Sequence, residues 1–242
     1  MDVELSGHYL VIGANGGIGR AVTAALRAEG CGVTGVDLPS INLAESDVLA
    51  RHIETLWETA GPFDGLVHAA GLYPAVSATD TSEVLFDDLL AVNARSALIA
   101  TATLAKLCEG IGRPLSVVVV SSVAATRPQN GTVAYSASKA ALEAVVRGLA
   151  LELGPSGVRV NAVAPGFVDV ASAINPVPRE YIDALAATAP QKRVGTPADI
   201  VPVIAWLLSE GAHWINGQTI AADGGSNLGW VDGPTWLNTT AS

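Results

Sequence analysis

A chain of 242 residues, 50% hydrophobic and only 15% charged, carries enough apolar mass for one large buried core and too little charge to behave as a disordered polymer. Its net charge of −10 and pI near 4.7 repel phosphate backbones and anionic lipid, so the expectation is no nucleic acid and no membrane among its partners. The 2 cysteines, Cys31 and Cys108, form no CxxC pair, and His8, His52, His68 and His213 are scattered without metal-ligand spacing, so no metal is expected. Residues 1–6 hold two acids and no base, unlike a secretory leader, and no apolar run reaches the ~18 residues that span a bilayer. A cytoplasmic protein is the expectation.

The first apolar run, residues 9–12, leads into Gly13-Ala14-Asn15-Gly16-Gly17-Ile18-Gly19, and a helical pattern follows over 19–29. Glycines let a backbone turn sharply and approach a pyrophosphate, and a helix N-terminus presents free N–H groups to that anion. A position after a strand and before a helix makes Gly13, Asn15, Gly16, Gly17, Ile18 and Gly19 candidate cofactor contacts. The second run, 32–36, ends at Asp37, eighteen residues past Gly19. A carboxylate there accepts hydrogen bonds from an adenosine ribose and repels a 2′-phosphate. No Lys or Arg lies between Arg27 and Arg51 to offset that repulsion, so the reading is NAD rather than NADP.

Three residues separate Asp37 from the apolar run 41–43, whereas a parallel crossover takes about ten or more. The crossover helix usual at this point is therefore expected to be missing, and the third strand to be short. Helical patterns then cover 45–59, 82–108, 133–153 and 198–208, alternating with apolar runs at 65–68, 116–120, 158–163 and 219–222. The runs are continuously apolar, as in strands buried on both faces, and the βαβα rhythm predicts a single α/β domain over 1–242 with a doubly wound, Rossmann-type parallel sheet. A loop over 166–195 and a tail over 226–242 stand outside the rhythm.

Within the pattern 133–153, Tyr135 and Lys139 are four residues apart and share a helix face. A free phenol titrates near ~10, too high for a base at neutral pH. A neighbouring ammonium, or an oxidised nicotinamide, favours the phenolate and suits Tyr135 to proton transfer. Alone, such a pair is more commonly a solvated polar face. Here Ser122 closes a strand thirteen residues before Tyr135, with Ser121 as the competing candidate, and Asn93 stands in mid-helix, where a lone Asn otherwise disturbs the backbone.

Together these residues resemble the short-chain dehydrogenase/reductase family over residues 7–226. The resemblance extends to His68-Ala69-Ala70-Gly71, with Asp64 before it, to Asn42-Leu43, Pro165-Gly166, Arg193-Val194-Gly195-Thr196-Pro197, Asn216-Gly217-Gln218 and Asp223-Gly224-Gly225. It implies a catalytic set of Ser122, Tyr135, Lys139 and Asn93. It also implies a cofactor lined by Asn42, Leu43, Ala69, Ala70, Gly71, Tyr135, Lys139, Pro165, Gly166 and Val168. Three departures stand out. His68 replaces an Asn and reads as a packed core residue, Asn42 replaces an Asp, and Val170 replaces the threonine that holds the nicotinamide amide. The implied reaction is NAD-dependent hydride exchange with a small-to-medium hydrophobic secondary alcohol or its ketone. Oxidation of a cyclic dihydrodiol is a close alternative, a carrier-bound oxoacyl reductase a more distant one, and a catalytically silent NAD-binding sensor the alternative of another class. The substrate pocket is expected from Leu72, Tyr73, Val123, Gln129, Val168, Asp169 and residues 171–190, and a homotetramer or homodimer from apolar residues on more than one face of the helices 82–108 and 133–153. Trp230 and Trp236 in the tail are read as packing either on the parent domain or at a subunit interface.

Overall fold

The computed structural model describes residues 4–45, 47–170 and 176–229. Six parallel strands, β1 (His8–Ile12), β2 (Gly32–Val36), β3 (Gly65–His68), β4 (Leu115–Val120), β5 (Val158–Pro165) and β6 (Thr219–Ala222), lie in the order β2-β1-β3-β4-β5-β6. Their alternating side chains enter two cores, as the period of two requires. Leu10, Ile12, Leu66, Val117, Val119 and Val160 face one side, and Tyr9, Val11, Val67, Val118, Val120 and Val163 the other. Helices α1 (Gly17–Ala28) and α7 (Pro197–Leu208) cover the second face. The first is covered by α2 (Leu49–Ala60), α4 (Ser96–Glu109) and α5 (Val133–Leu153). α3 (Glu83–Leu90) leads into α4, and α6 (Arg179–Thr188) lies in the loop before α7. Burial on both faces explains why the strands read as continuous apolar runs.

The short third strand expected at 41–43 does not form. Asn42 instead closes a local turn, its Oδ1 accepting from the Ala44 amide at 3.1 Å and its carbonyl from the Glu45 amide at 3.2 Å. Ile41 is still buried in the core, but as part of a turn that delays the following helix to Leu49. No helix lies between Asp37 and residues 41–43, as expected, and α2, the helix read over 45–59, joins β2 to β3 on the far side of β1. This makes the adjacent ends of β1 and β3 the point where the strand order reverses, and ligands of open α/β sheets bind beyond such ends.

The single helix predicted over 82–108 is interrupted by one π-helical turn, Ala91–Arg95, centred on Asn93. α6 falls inside the loop anticipated at 166–195. Among the described residues, no helix is long and apolar enough to cross a membrane. Trp230, Trp236 and the tail beyond residue 229, and pocket residues 171–175, lie outside the described residues.

Candidate active site

At the end of β1 the chain turns on Gly13, whose φ of +85° suits glycine alone; a methyl group here would run into the backbone of Ala69 and Ala70 at the end of β3. A methyl on Gly19 would strike the Gly13 carbonyl, so α1 packs directly against the turn. α1 starts after Gly16 with no side-chain cap and no acid in its first turn. Asn15 and Ile18 flank this opening. A diphosphate fits such an N-terminus, since the leading N–H groups of a helix have no partner within it. Asp37, just past β2, accepts the amides of Asn15 and Leu38, each at 2.8 Å. Its carboxylate thereby braces the turn and keeps lone pairs for ribose hydroxyls. The residues present thus fit a nicotinamide dinucleotide.

Asn42 and Leu43 belong to the turn beside this region, which Arg95 pins by donating to the Ala44 carbonyl at 2.7 Å. Sequence reading missed Arg95 because its partner lies 51 residues away. Farther along, Val168 pairs with Gly195 in a parallel bridge. Its two hydrogen bonds use the amide of Asp169 and the carbonyl of Phe167, both at 2.9 Å. In such a ladder the central residue's own N–H and C=O point to the opposite edge, where an amide can be held. Pro165 ends β5 and Gly166 donates to Ala222 at 3.2 Å, which fixes where this segment leaves the sheet. Val170 lies against Gly17, where a side chain on that glycine would stand. It therefore closes over the glycine turn with methyl groups in place of a hydroxyl.

Ser122, Tyr135 and Lys139 come together at the end of β4. Ser122 Oγ accepts the Ala124 amide at 3.1 Å, opening a short 3-10 turn. Burial pushes the Tyr135 phenol up to about 12, the hydrogen-bonding Ser122 hydroxyl pulls it down, and Tyr73 pushes it up further. Lys139 Nζ lies 5.8 Å from the Tyr135 ring centroid and donates to the Val120 carbonyl at 2.8 Å. The ammonium thus holds the strand end, while burial outweighs the Ser122 hydrogen bond at the Tyr135 phenol. Burial brings Lys139 itself down to about 8, against the opposing pull of Glu143. The competing Ser121 faces the other way, its Oγ donating to Glu143 Oε1 at 2.9 Å.

Asn93 is fully buried in the π turn. Its Nδ2 donates to the Leu72 carbonyl at 3.0 Å and to Ser138 Oγ at 2.9 Å, and its Oδ1 accepts the Leu72 amide at 2.8 Å. It thereby ties the segment after β3 to the helix carrying Tyr135 and Lys139. Gly71 completes the junction, since a methyl there would stand 3.3 Å from Lys139 Nζ and 3.2 Å from Asn93 Oδ1. His68 is buried and paired with Ser96 Oγ at 2.7 Å, and burial, with Lys139 adding to it, holds its pKa down to about 3. It is a neutral core residue, and no metal-ligating cluster occurs among the described residues.

On the open side of Tyr135, the Tyr73 ring packs edge-on at a centroid distance of 4.8 Å. Tyr181 of α6 lies 6.2 Å from Phe167, and its hydroxyl donates to Gln129 Oε1 at 3.4 Å. The wall is aromatic with an amide and phenols along it. Leu72 and Val123 flank the same two strand ends, and Asp169 follows the Val168 bridge. Tyr181 falls within residues 171–190, expected at the pocket, whereas Phe167 was not singled out by the sequence, because an isolated aromatic in a loop carries no spacing signal.

The family model described as enoyl-(acyl carrier protein) reductase matches residues 40–227. The short-chain dehydrogenase/reductase eriH of Hericium erinaceus is 30% identical, over 92% of this chain and 98% of its own length. This chain belongs to the short-chain dehydrogenase/reductase family. Another short-chain dehydrogenase/reductase relative, the 3-oxoacyl-(acyl-carrier-protein) reductase MabA of Mycobacterium tuberculosis, is 29% identical over 93% of this chain and 94% of its own. A solved member, 4-hydroxyisoleucine dehydrogenase complexed with NADH, superposes with a TM-score of 0.84 at 25% identity, covering 92% of this chain and 99% of that one. Membership makes this chain an oxidoreductase that uses a nicotinamide cofactor.

Proposed function

We propose that this oxidoreductase is an NAD-dependent dehydrogenase of small-to-medium hydrophobic secondary alcohols, acting reversibly on their ketones. The observation that carries the reading is the convergence of Ser122, Tyr135 and Lys139 at the end of β4, with Tyr135 facing an aromatic wall. Bound NAD⁺ supplies the hydride acceptor and, in its pyridinium ring, a positive charge that favours the Tyr135 phenolate. Tyr135 takes the proton from the substrate hydroxyl as the carbinol hydride departs. Ser122 donates a hydrogen bond to the substrate oxygen and holds it beside the phenol. Lys139 binds the nicotinamide ribose and keeps a positive charge near the phenolate. Asn93 fixes Leu72 and Ser138, and with them the geometry of the proton path.

Asp37 supports NAD over NADP, because its carboxylate at the end of β2 repels a 2′-phosphate. The likeness to a dehydrogenase solved with NADH supports the same choice. Val168 offers its backbone to the nicotinamide amide, which compensates for Val170 in the place of threonine. MabA and the matching family description point to carrier-bound substrates, but the net charge of −10 opposes docking of an acidic carrier. The homodimer or homotetramer is supported by apolar side chains exposed along α4 and α5, including Leu98, Ile99, Val133 and Leu151. The cytoplasm, which keeps thiols reduced, suits a chain whose two described cysteines are free and buried.

Absorbance at the NADH band tests the reading. Purified protein meets a panel of secondary alcohols, cyclic dihydrodiols and hydroxyacyl thioesters, with NAD⁺ and NADP⁺ in parallel. NADH formation from simple secondary alcohols is the expected result. Turnover confined to the dihydrodiols or thioesters would replace the substrate class. Tight NAD⁺ binding without turnover on any member would favour a silent sensor.

A further inference from the structure

Of the Asp, Glu, Lys and Arg side chains among the described residues, only Lys139 and Glu143 are buried, at 4% and 8% exposure. They lie four residues apart on α5, on the same face. An isolated buried carboxylate is expensive, so its retention one turn below the site calls for a use. The two side chains grip consecutive residues of one strand end. Lys139 Nζ takes the Val120 carbonyl at 2.8 Å, and Glu143 Oε1 takes the Ser121 hydroxyl at 2.9 Å. The next residue is Ser122. The Ser121 amide donates to the Val163 carbonyl at 2.7 Å, so the strand end is also held by β5.

We propose that Glu143 is a positioning residue for the Ser122, Tyr135 and Lys139 site, acting through Ser121 on the β4 end and through its negative charge on the ammonium of Lys139. Two functions follow from one carboxylate. Its acceptor oxygen holds the Ser121 hydroxyl on the side of the strand end opposite Ser122, which fixes the segment that carries Ser122. Its charge offsets the cost of burying Lys139, whose ammonium donates to the neutral Val120 carbonyl. The titratable groups facing Lys139 are Glu143 and Tyr135 from α5 and His68 from β3, while the π turn contributes the neutral Asn93. His68 is held near 3 and Tyr135 near 12, so neither changes charge across the working range, and Glu143 is the group that tunes Lys139. Burial alone drives the lysine down, and Glu143 raises it, to about 8. Removing the charge while keeping the acceptor should therefore let Lys139 lose its proton at lower pH.

The chain has three lysines, Lys106, Lys139 and Lys192, so lysine-labelled protein gives a carbon NMR titration with three side-chain signals. Lys106→Arg and Lys192→Arg, both at exposed positions, assign the third by elimination. Wild type is expected to show Lys139 titrating near about 8. Glu143→Gln, which still accepts from Ser121, is expected to lower that midpoint by about one pH unit and to move the high-pH limb of alcohol oxidation down with it. Glu143→Asp, which keeps the charge, is expected to leave the midpoint near the wild-type position. Should the amide variant not fold, as read by thermal unfolding, Glu143→Met of similar volume reads the same midpoint. A Lys139 midpoint that is unmoved in the uncharged variant overturns the inference. The inference rests on the dehydrogenase reading, yet the NMR titration needs no turnover. An inactive wild type would therefore count against that reading, and a fixed Lys139 midpoint against the role of Glu143.

Discussion

Tyr135→Phe is expected to lower kcat for alcohol oxidation by about a hundredfold to ten-thousandfold, the usual worth of a positioned acid or base, while NAD⁺ still binds. The ring remains, so the edge-on contact with Tyr73 at 4.8 Å and the packing against Leu89, Ala124 and Ala134 survive. What disappears is the oxygen beside Ser122. Burial holds the phenol at about 12 in the protein's own surroundings, so its use as a base depends on positive charge gathered around it. That makes the reaction sensitive to pH from the alkaline side through Lys139, whose charge is lost above about 8. Steady-state kinetics alongside calorimetric NAD⁺ binding read the two effects separately. Loss of binding equal to the loss of turnover would mean that Tyr135 serves the cofactor site alone.

Asp37→Asn is expected to reduce the preference for NAD⁺ over NADP⁺, measured as the ratio of kcat/KM values, by about tenfold to a hundredfold, the range of hydrogen bonds to a charged group. The amide keeps an oxygen for one of the backbone donors, Asn15 or Leu38, that the carboxylate accepts at 2.8 Å, so the glycine turn is disturbed less than by alanine. The charge that repels a 2′-phosphate is removed, and a charge-assisted acceptor for the ribose becomes a neutral one. An unchanged ratio would show that Asp37 braces the turn without selecting the cofactor.

The fold was legible wherever burial left a one-dimensional trace. β3 and β4 run through two cores, and their sequences, Gly-Leu-Val-His and Leu-Ser-Val-Val-Val-Val, contain almost nothing that tolerates water. The run at 41–43 is apolar for a different reason. Ile41 is buried from a turn, and the polar side chain of Asn42 between two apolar neighbours was the sign that the backbone would bond locally. Periodicity alone runs on through residues 91–95, because both helices beside the π turn keep their apolar faces, and only the mid-helix Asn93 marked a disturbance there.

The candidate site divides in the same way. Contacts within one helix or one turn follow from spacing, as with Tyr135 and Lys139. The choice of Ser122 over Ser121 came from the resemblance, and its physical reason lies in the third dimension, because consecutive residues of an extended strand point to opposite sides. The fold adds that Ser121 is directed to Glu143 while Ser122 reaches Tyr135. Asn93 bonds to a residue 21 positions away and Arg95 to one 51 away, distances at which no local pattern exists.

Hydride transfer itself is tested by turning over a secondary alcohol deuterated at its carbinol carbon with NAD⁺ and weighing the reduced cofactor. The account predicts reduced nicotinamide carrying the deuterium, formed by wild type and about a hundredfold or more slower by Tyr135→Phe. Reduced cofactor without the label, or bound NAD⁺ that no secondary alcohol reduces, would contradict it.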